Sequence, residues 1–357
     1  MTIVLIILLL VTLITARPKK YNENYLDKKN TDAIKGIFLV FVFISHFISY
    51  KIPLQNNWID SVGVKFITKL EQLMVTMFLF YSGYGVMESI KRKGENYIKT
   101  FPKKRILTTL INFDIAVLIY MFASRYFVTH TVFSIESLKK IVLVLIGWDG
   151  FQNSNWYIFA IIILYIITYL SAKAFTNKNE RVISIFIGTV LFTVVMQYFK
   201  PVYWYNTAFC FVFGIAFSTY KEEIEKWLLG KEWILIIYMT MLFFVLYKLK
   251  NNIYLYYIYT IVFTLIIVLL TRKIYLSNIA LSWMGRNLFP LYIFQRLPMM
   301  LLKDNSFMKE NTYVLFITCL ILTLIMSLIY NFVMFLKKKI KEKMENEKNI
   351  SNNSNVL

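Results

Sequence analysis

The sequence predicts an all-α fold: a polytopic integral-membrane bundle of about ten spanning helices, with a short N-terminal anchor helix and one re-entrant segment. Three observations lead there. The 357 residues are 58% hydrophobic and contain repeated apolar runs of 17 to 24 residues, and a hydrocarbon core about 30 Å thick takes roughly 20 apolar residues in helical form. The net charge is +20, but Lys and Arg collect between the apolar runs, where they set topology; nucleic acid is not an expected partner. Many Tyr and Trp fall near segment ends, as interfacial belts require. The two cysteines, Cys210 and Cys319, lie inside apolar segments without partner spacing and imply neither disulfide nor zinc.

Residues 2–16 form an apolar helix that positive charge follows rather than precedes, the reverse of a cleaved signal peptide. They read as an anchor, with 17–33 a basic cytoplasmic linker. A spanning helix at 34–50 comes next. Residues 51–70 make an outer loop with room for a short amphipathic helix. The second span covers about 72–90 and ends in a basic cytoplasmic loop, 91–105, before the third at about 106–127. The apolar part of the following segment, 141–148, is too short to cross and reads as re-entrant. Spans follow at 155–172, 182–199, 203–220, 232–249, 253–271, 287–303 and 312–336. With 141–148 not crossing, 27 of the 40 Lys and Arg face the cytoplasm, as the positive-inside bias requires, and the C-terminus is cytoplasmic. Residues 337–357 read as a disordered polar tail. No internal repeat and no appended soluble domain is visible.

The stretch Thr31–Tyr50 carries the chemistry. Asp32, Lys35 and His46 stand out in an otherwise apolar helix. Lys35 and His46 are eleven residues apart, about three turns, so they share a face with His46 about 16 Å further along the axis. Ionisable groups at that depth face a protein interior or a wet cavity. The plainer role for His46 is a polar contact between helices.

The string D-x-x-K-G-(x)9-H, Asp32 to His46, resembles the first-helix signature of the membrane-bound acyltransferase-3 family, which includes O-acyltransferases of surface polysaccharides. Ser82, Gly83 and Tyr84 resemble its F-x-x-S-G-aromatic element, although the acidic residue often six positions before the serine is Thr76 here. Physically, a Ser-Gly pair admits a close helix neighbour and offers a hydroxyl inside the bundle. Arg105 matches the second member of a basic pair before the third helix, while Pro102 takes the first. Near the end, Gly285, Phe289 and Tyr292 fit a further element loosely, with Gln295 in place of its histidine and Leu288 in place of its serine. Gln295 and Arg296 are unusual at mid-helix and are expected to face the interior. His130, in an outer loop, has no assigned role.

The resemblance covers about 30–336 and implies a membrane acyltransferase domain over 34–336, with acyl-CoA (acetyl-CoA first) as co-substrate, no permanently bound cofactor and no metal. His46 would be the base, with Lys35, Ser82 and Tyr84 in the catalytic set. Arg92, Lys99, Lys103, Lys104 and Arg105 would hold the donor phosphates, beside their topological role. Asp149, Asn153, Asn155 and Trp156, on the outer face, would meet the acceptor, a cell-surface glycan or lipid-linked sugar; an interfacial tryptophan in a hydrophilic loop is the plainer reading of that stretch. The competing function is a membrane transporter or flippase of a glycan precursor, in which Lys35 and His46 line a conduit. Transport predicts pseudo-symmetric halves with matching broken helices, and none are visible. A polysaccharide polymerase calls for a longer polar outer loop.

Overall fold

A computed structural model describes residues 1–50, 58–70, 72–124, 136–150 and 153–354. Helices dominate it. The chain begins with α1 (Thr2–Thr15), a three-residue strand β1 (Ala16–Pro18) and α2 (Lys28–Tyr50). Then come α3 (Trp58–Leu70), α4 (Leu73–Lys93), α5 (Glu95–Phe101), a π-helical segment Pro102–Leu107 and α6 (Thr108–Ser124). The short α7 (Glu136–Leu145) precedes α8 (Trp156–Ala174) and α9 (Lys178–Phe199), and a 3-10 turn at Val202–Trp204 precedes α10 (Phe209–Thr219). Next are α11 (Lys221–Leu228), α12 (Glu232–Leu249), α13 (Ile253–Thr271) and strand β2 (Ile274–Leu276). The chain closes with α14 (Ile279–Arg286), α15 (Leu288–Phe294), α16 (Arg296–Leu302), α17 (Ser306–Glu310) and α18 (Thr312–Ser354).

Among the described residues, eight helices are long and apolar enough to cross a membrane, with α5, the π segment and α6 counted as one. The two other expected crossings are shorter and broken. The stretch 203–220 is a 3-10 turn and then the 11-residue α10. The stretch 287–303 is split into α15 and α16. Proline explains both breaks around α15. Pro298 has no N–H to return to the carbonyl of Phe294, and the ladder fails at Gln295. Pro290 likewise has none for Arg286, and α14 gives way to α15 at Asn287.

Three expectations need correction. The basic stretch 91–105 is not a loop: α4 runs on to Lys93, Gly94 turns the chain with φ +52°, and α5 and the π segment carry it into α6. Only glycine takes that φ without strain, and Pro102, lacking an N–H for Ile98, opens the helix into the wider π geometry. The 17–33 linker is not free: β1 pairs antiparallel with β2, Arg17 opposite Tyr275, and Asn22 donates to the Thr271 carbonyl at 2.8 Å. Beyond Leu336, α18 continues helically to Ser354 where a disordered tail was expected. Its Lys- and Glu-rich composition favours helix, and Lys338 and Glu342 pair at 3.5 Å one turn apart. The amphipathic helix expected in 51–70 is α3. His130 and the end of the third span, 125–127, lie outside the described residues.

Two close helix contacts organise the centre. At the α4–α10 contact, a Cβ on Gly83 would overlap the Phe211 carbonyl, and one on Gly214 would overlap the Phe80 carbonyl. At the α2–α14 contact, a Cβ on Gly36 would overlap the Leu281 carbonyl, and one on Gly285 would overlap the Asp32 carbonyl. Lipid tails are as apolar as leucine, so close packing rather than hydrophobic exclusion holds such helices together. The outward face of α12 (Trp233, Ile237, Phe244) stays exposed, as a lipid-facing surface would.

A cationic cavity and a buried histidine

The close α2–α14 contact sets the geometry of the site. It buries Asp32, whose side chain is 2% exposed, and Lys35 reaches back to it with Nζ 2.6 Å from Oδ1. The two residues, one turn apart on α2, thus form an ion pair. Past Asp32, Lys35 borders a cavity of about 380 Å³ enclosed by α2, α4, the π segment, α6, α8, α14 and α15.

Three cations line this cavity: Lys35, Arg105 and Arg286. Arg105 lies in the π segment and donates from Nε to the Tyr97 hydroxyl at 2.9 Å. Arg286 ends α14 and makes no ion pair among the described residues. The sequence analysis assigns Arg286 no role in the site. Its signal was the G-R-N string after Gly285, recognisable only once Gly285 is known to clamp α14 onto Asp32.

Ser82 also lines the cavity, with its Oγ 2.7 Å from the Tyr165 hydroxyl. Gly83, beside it, faces α10, so the Ser-Gly pair divides its work between cavity and helix contact. Tyr84 does not border the cavity. It packs against Phe80 and Phe217, because successive helix positions turn by about 100°. The aromatic hydroxyls that do border the cavity are Tyr81, Tyr157, Tyr165 and Tyr292.

His46 lies behind Tyr292. Their ring centroids are 6.3 Å apart, and Tyr292 is 5.5 Å from Tyr157. Nδ1 of His46 and the hydroxyls of Tyr292 and Tyr81 are buried and have no hydrogen-bond partner among the described residues, nor has the Ser154 hydroxyl. Buried polar atoms are seldom left so. Two of the four, the hydroxyls of Tyr81 and Tyr292, belong to residues that line the cavity.

The remaining expected site residues are distributed more widely. Arg92, Lys99, Lys103 and Lys104 are exposed on the helical surface around Arg105 and do not line the cavity. Asn155 is buried and donates to the Gly147 carbonyl at 2.9 Å, holding the turn before α8. Asn153 is buried as well. Asp149 accepts from the Gly150 N–H at 2.8 Å. Trp156, partly exposed, packs edge-on against Tyr203 and Tyr157. This set therefore shapes the loop at the α8 end of the site, one residue from Tyr157 on the cavity wall.

The fold is that of a multi-pass membrane protein with a cationic, hydroxyl-rich cavity whose wall residue Tyr292 packs against the partly buried imidazole of His46. A family model described as an acyltransferase domain, that of acyltransferase-3, matches residues 28–332. The chain belongs to the acyltransferase-3 family and is a membrane acyltransferase. Neither a curated protein nor a solved structure matches it.

Proposed function

We propose that this acyltransferase moves an acyl group, acetyl in the first instance, from cytoplasmic acyl-CoA to a hydroxyl of a cell-surface glycan or lipid-linked sugar. The observation that carries the reading is the cavity itself, with Lys35, Arg105 and Arg286 on its wall and Tyr292 leading to His46. Clustered cations with fork-shaped donors suit the phosphates of coenzyme A. The domains in this reading are an N-terminal anchor helix and basic cytoplasmic linker over 1–33, a membrane acyltransferase domain over 34–336 and a cytoplasmic tail over 337–357. The C-terminus faces the cytoplasm by the positive-inside bias.

In this reading the donor thioester lies along the cavity with its acyl carbon near Tyr292. The acceptor approaches from the side of Trp156 and Asp149. His46 takes the hydroxyl proton as the acceptor oxygen bonds to the thioester carbon. The tetrahedral intermediate then collapses, the C–S bond breaks, and the thiolate leaves with a proton returned by the imidazole. Lys35 and Ser82 position the donor. Tyr292, its hydroxyl unpartnered, is placed to donate to the developing oxyanion.

The test is release of free coenzyme A by purified protein given acetyl-CoA and a glycan panel, with His46→Ala alongside. Acceptor-dependent thiol release that vanishes in the variant supports the scheme. Release that persists keeps the enzyme but returns His46 to packing, and no release with any pair refutes the choice of donor or acceptor.

A further inference from the structure

Among the described residues, Arg296 is a cation without a counter-charge. It sits at the break between α15 and α16, partly exposed, within the otherwise apolar broken helix Leu288–Leu302. Its Nε donates to the Tyr50 hydroxyl at 3.2 Å, and its guanidinium lies 5.2 Å from the centre of the Tyr50 ring. No carboxylate lies within ion-pair distance of it among the described residues, and the stretch 51–57 after Tyr50 contains no acidic residue. Lys35, by contrast, has Asp32.

Position gives this cation a task. Tyr50 is one turn beyond His46 on α2, and Arg296 is one turn beyond Tyr292 along the broken helix α15–α16, so both lie past the imidazole on the side away from Lys35. The hydrogen bond to Tyr50 fixes the guanidinium in place. Beside it, Gln295 is fully buried and donates to the Tyr292 carbonyl at 2.9 Å, while its Oε1 has no hydrogen-bond partner among the described residues. Gln295 faces a separate apolar cavity with Leu39, Phe43 and Phe316, so the cation at the break, held by Tyr50, stands alone one turn past the imidazole.

Resting on the acyl-transfer reading above, we infer that Arg296 forms an anion subsite on the acceptor side of His46, and that the acceptor carries a carboxylate or phosphate close to the hydroxyl that is acylated. A guanidinium takes either oxyanion through paired N–H donors. The subsite selects the acceptor and plays no part in holding the donor.

The experiment uses the full chain in lipid nanodiscs and three probes of one scaffold: octyl glucoside, octyl glucuronide and octyl glucoside 6-phosphate. Binding is read by thermal shift, and coenzyme A release from acetyl-CoA is read separately, for wild type, Arg296→Gln and Arg296→Lys. One or both anionic probes should bind at least about tenfold tighter than the neutral one, the scale of a charge-assisted contact. That preference should vanish in Arg296→Gln and partly return in Arg296→Lys, with acetyl-CoA binding unchanged. The arm that responds tells carboxylate from phosphate. Equal binding of all three, or a preference that survives in Arg296→Gln, overturns the subsite. Should Arg296→Gln fail to fold, Arg296→Lys and Tyr50→Phe must each weaken the anion preference, or the subsite is wrong. Arg296-dependent anion binding without thiol release keeps the subsite and removes the acyl-CoA reading. Thiol release indifferent to acceptor charge does the reverse.

Discussion

Ser82 on α4 and Tyr165 on α8 share a hydrogen bond of 2.7 Å at the cavity wall, with Arg105 of the π segment lining the same space. The bond ties together two spanning helices that enclose the site. Tyr165→Phe should cost about 0.5–1.5 kcal/mol of stability, the ordinary net value of one such bond. Ser82→Ala should cost a similar amount and, beyond that, raise KM for the acyl donor. Thermal unfolding and steady-state kinetics on both variants check this; unchanged donor kinetics in Ser82→Ala would leave its hydroxyl a purely structural tie.

Asp32 and Lys35 differ in dryness, and their variants should differ accordingly. Lys35→Met strands a carboxylate whose side chain is 2% exposed, whereas Asp32→Asn strands an ammonium that is 21% exposed and borders the cavity. Lys35→Met should therefore be the more destabilising, by roughly 2–4 kcal/mol, below the loss for a fully dry pair because Lys35 is partly hydrated. The double variant should recover part of that loss, which a double-mutant cycle on unfolding measures.

Neighbouring glycines of α4 should respond in opposite senses. A side chain on Gly83 meets the Phe211 carbonyl, while nothing lies within 4 Å of a Cβ at Gly85. Gly83→Ala should lose about 1–3 kcal/mol through overpacking. Gly85→Ala should gain up to about 1 kcal/mol from helix propensity. Comparing their melting temperatures decides it, and parallel shifts would mean that the α4–α10 contact is looser than it stands.

The basic surface and the cavity cations separate in the same way. Arg105→Gln and Arg286→Gln should each raise KM for acyl-CoA about tenfold or more, since a charge-assisted bond in a confined site is worth 1.5–3 kcal/mol or so. Lys103→Gln and Lys104→Gln should change it by about twofold or less, and only at low ionic strength, because exposed charges are screened. Titrations of donor concentration at two salt levels give all four values.

What the chain reveals to a reader of sequence depends on range. The first-helix pattern is local, so the shared face of Asp32, Lys35 and His46 follows from helical periodicity alone. The Ser-Gly pair is local as well, and its packing role at α10 could be anticipated from size. Arg286 could not, because its place on the cavity wall depends on Gly285 meeting Asp32 across 253 positions of chain. Tyr84 lies off the cavity for a simpler reason: two helix positions turn by about 200°, so Ser82 and Tyr84 point to opposite sides of α4. The prolines at 290 and 298 mark the broken helix, yet a hydropathy window averages over them.

The widened turn at Pro102–Leu107 puts the two halves of the third span out of phase. One surplus residue advances everything after it by about 100° relative to an unbroken helix. Upstream, Tyr97 and Phe101 point inward, and downstream Phe113, Val117 and Tyr120 do as well, on a stripe that a continuous α-helix would have turned elsewhere. The span therefore obeys a length rule that its hydropathy does not record. Removing a single residue between 102 and 107 would close the turn to ordinary α geometry and leave Tyr120 facing the Ile293 carbonyl it bonds at 2.8 Å, whereas closing the turn with every residue kept would rotate α6 by about 100° and carry Tyr120 away from it.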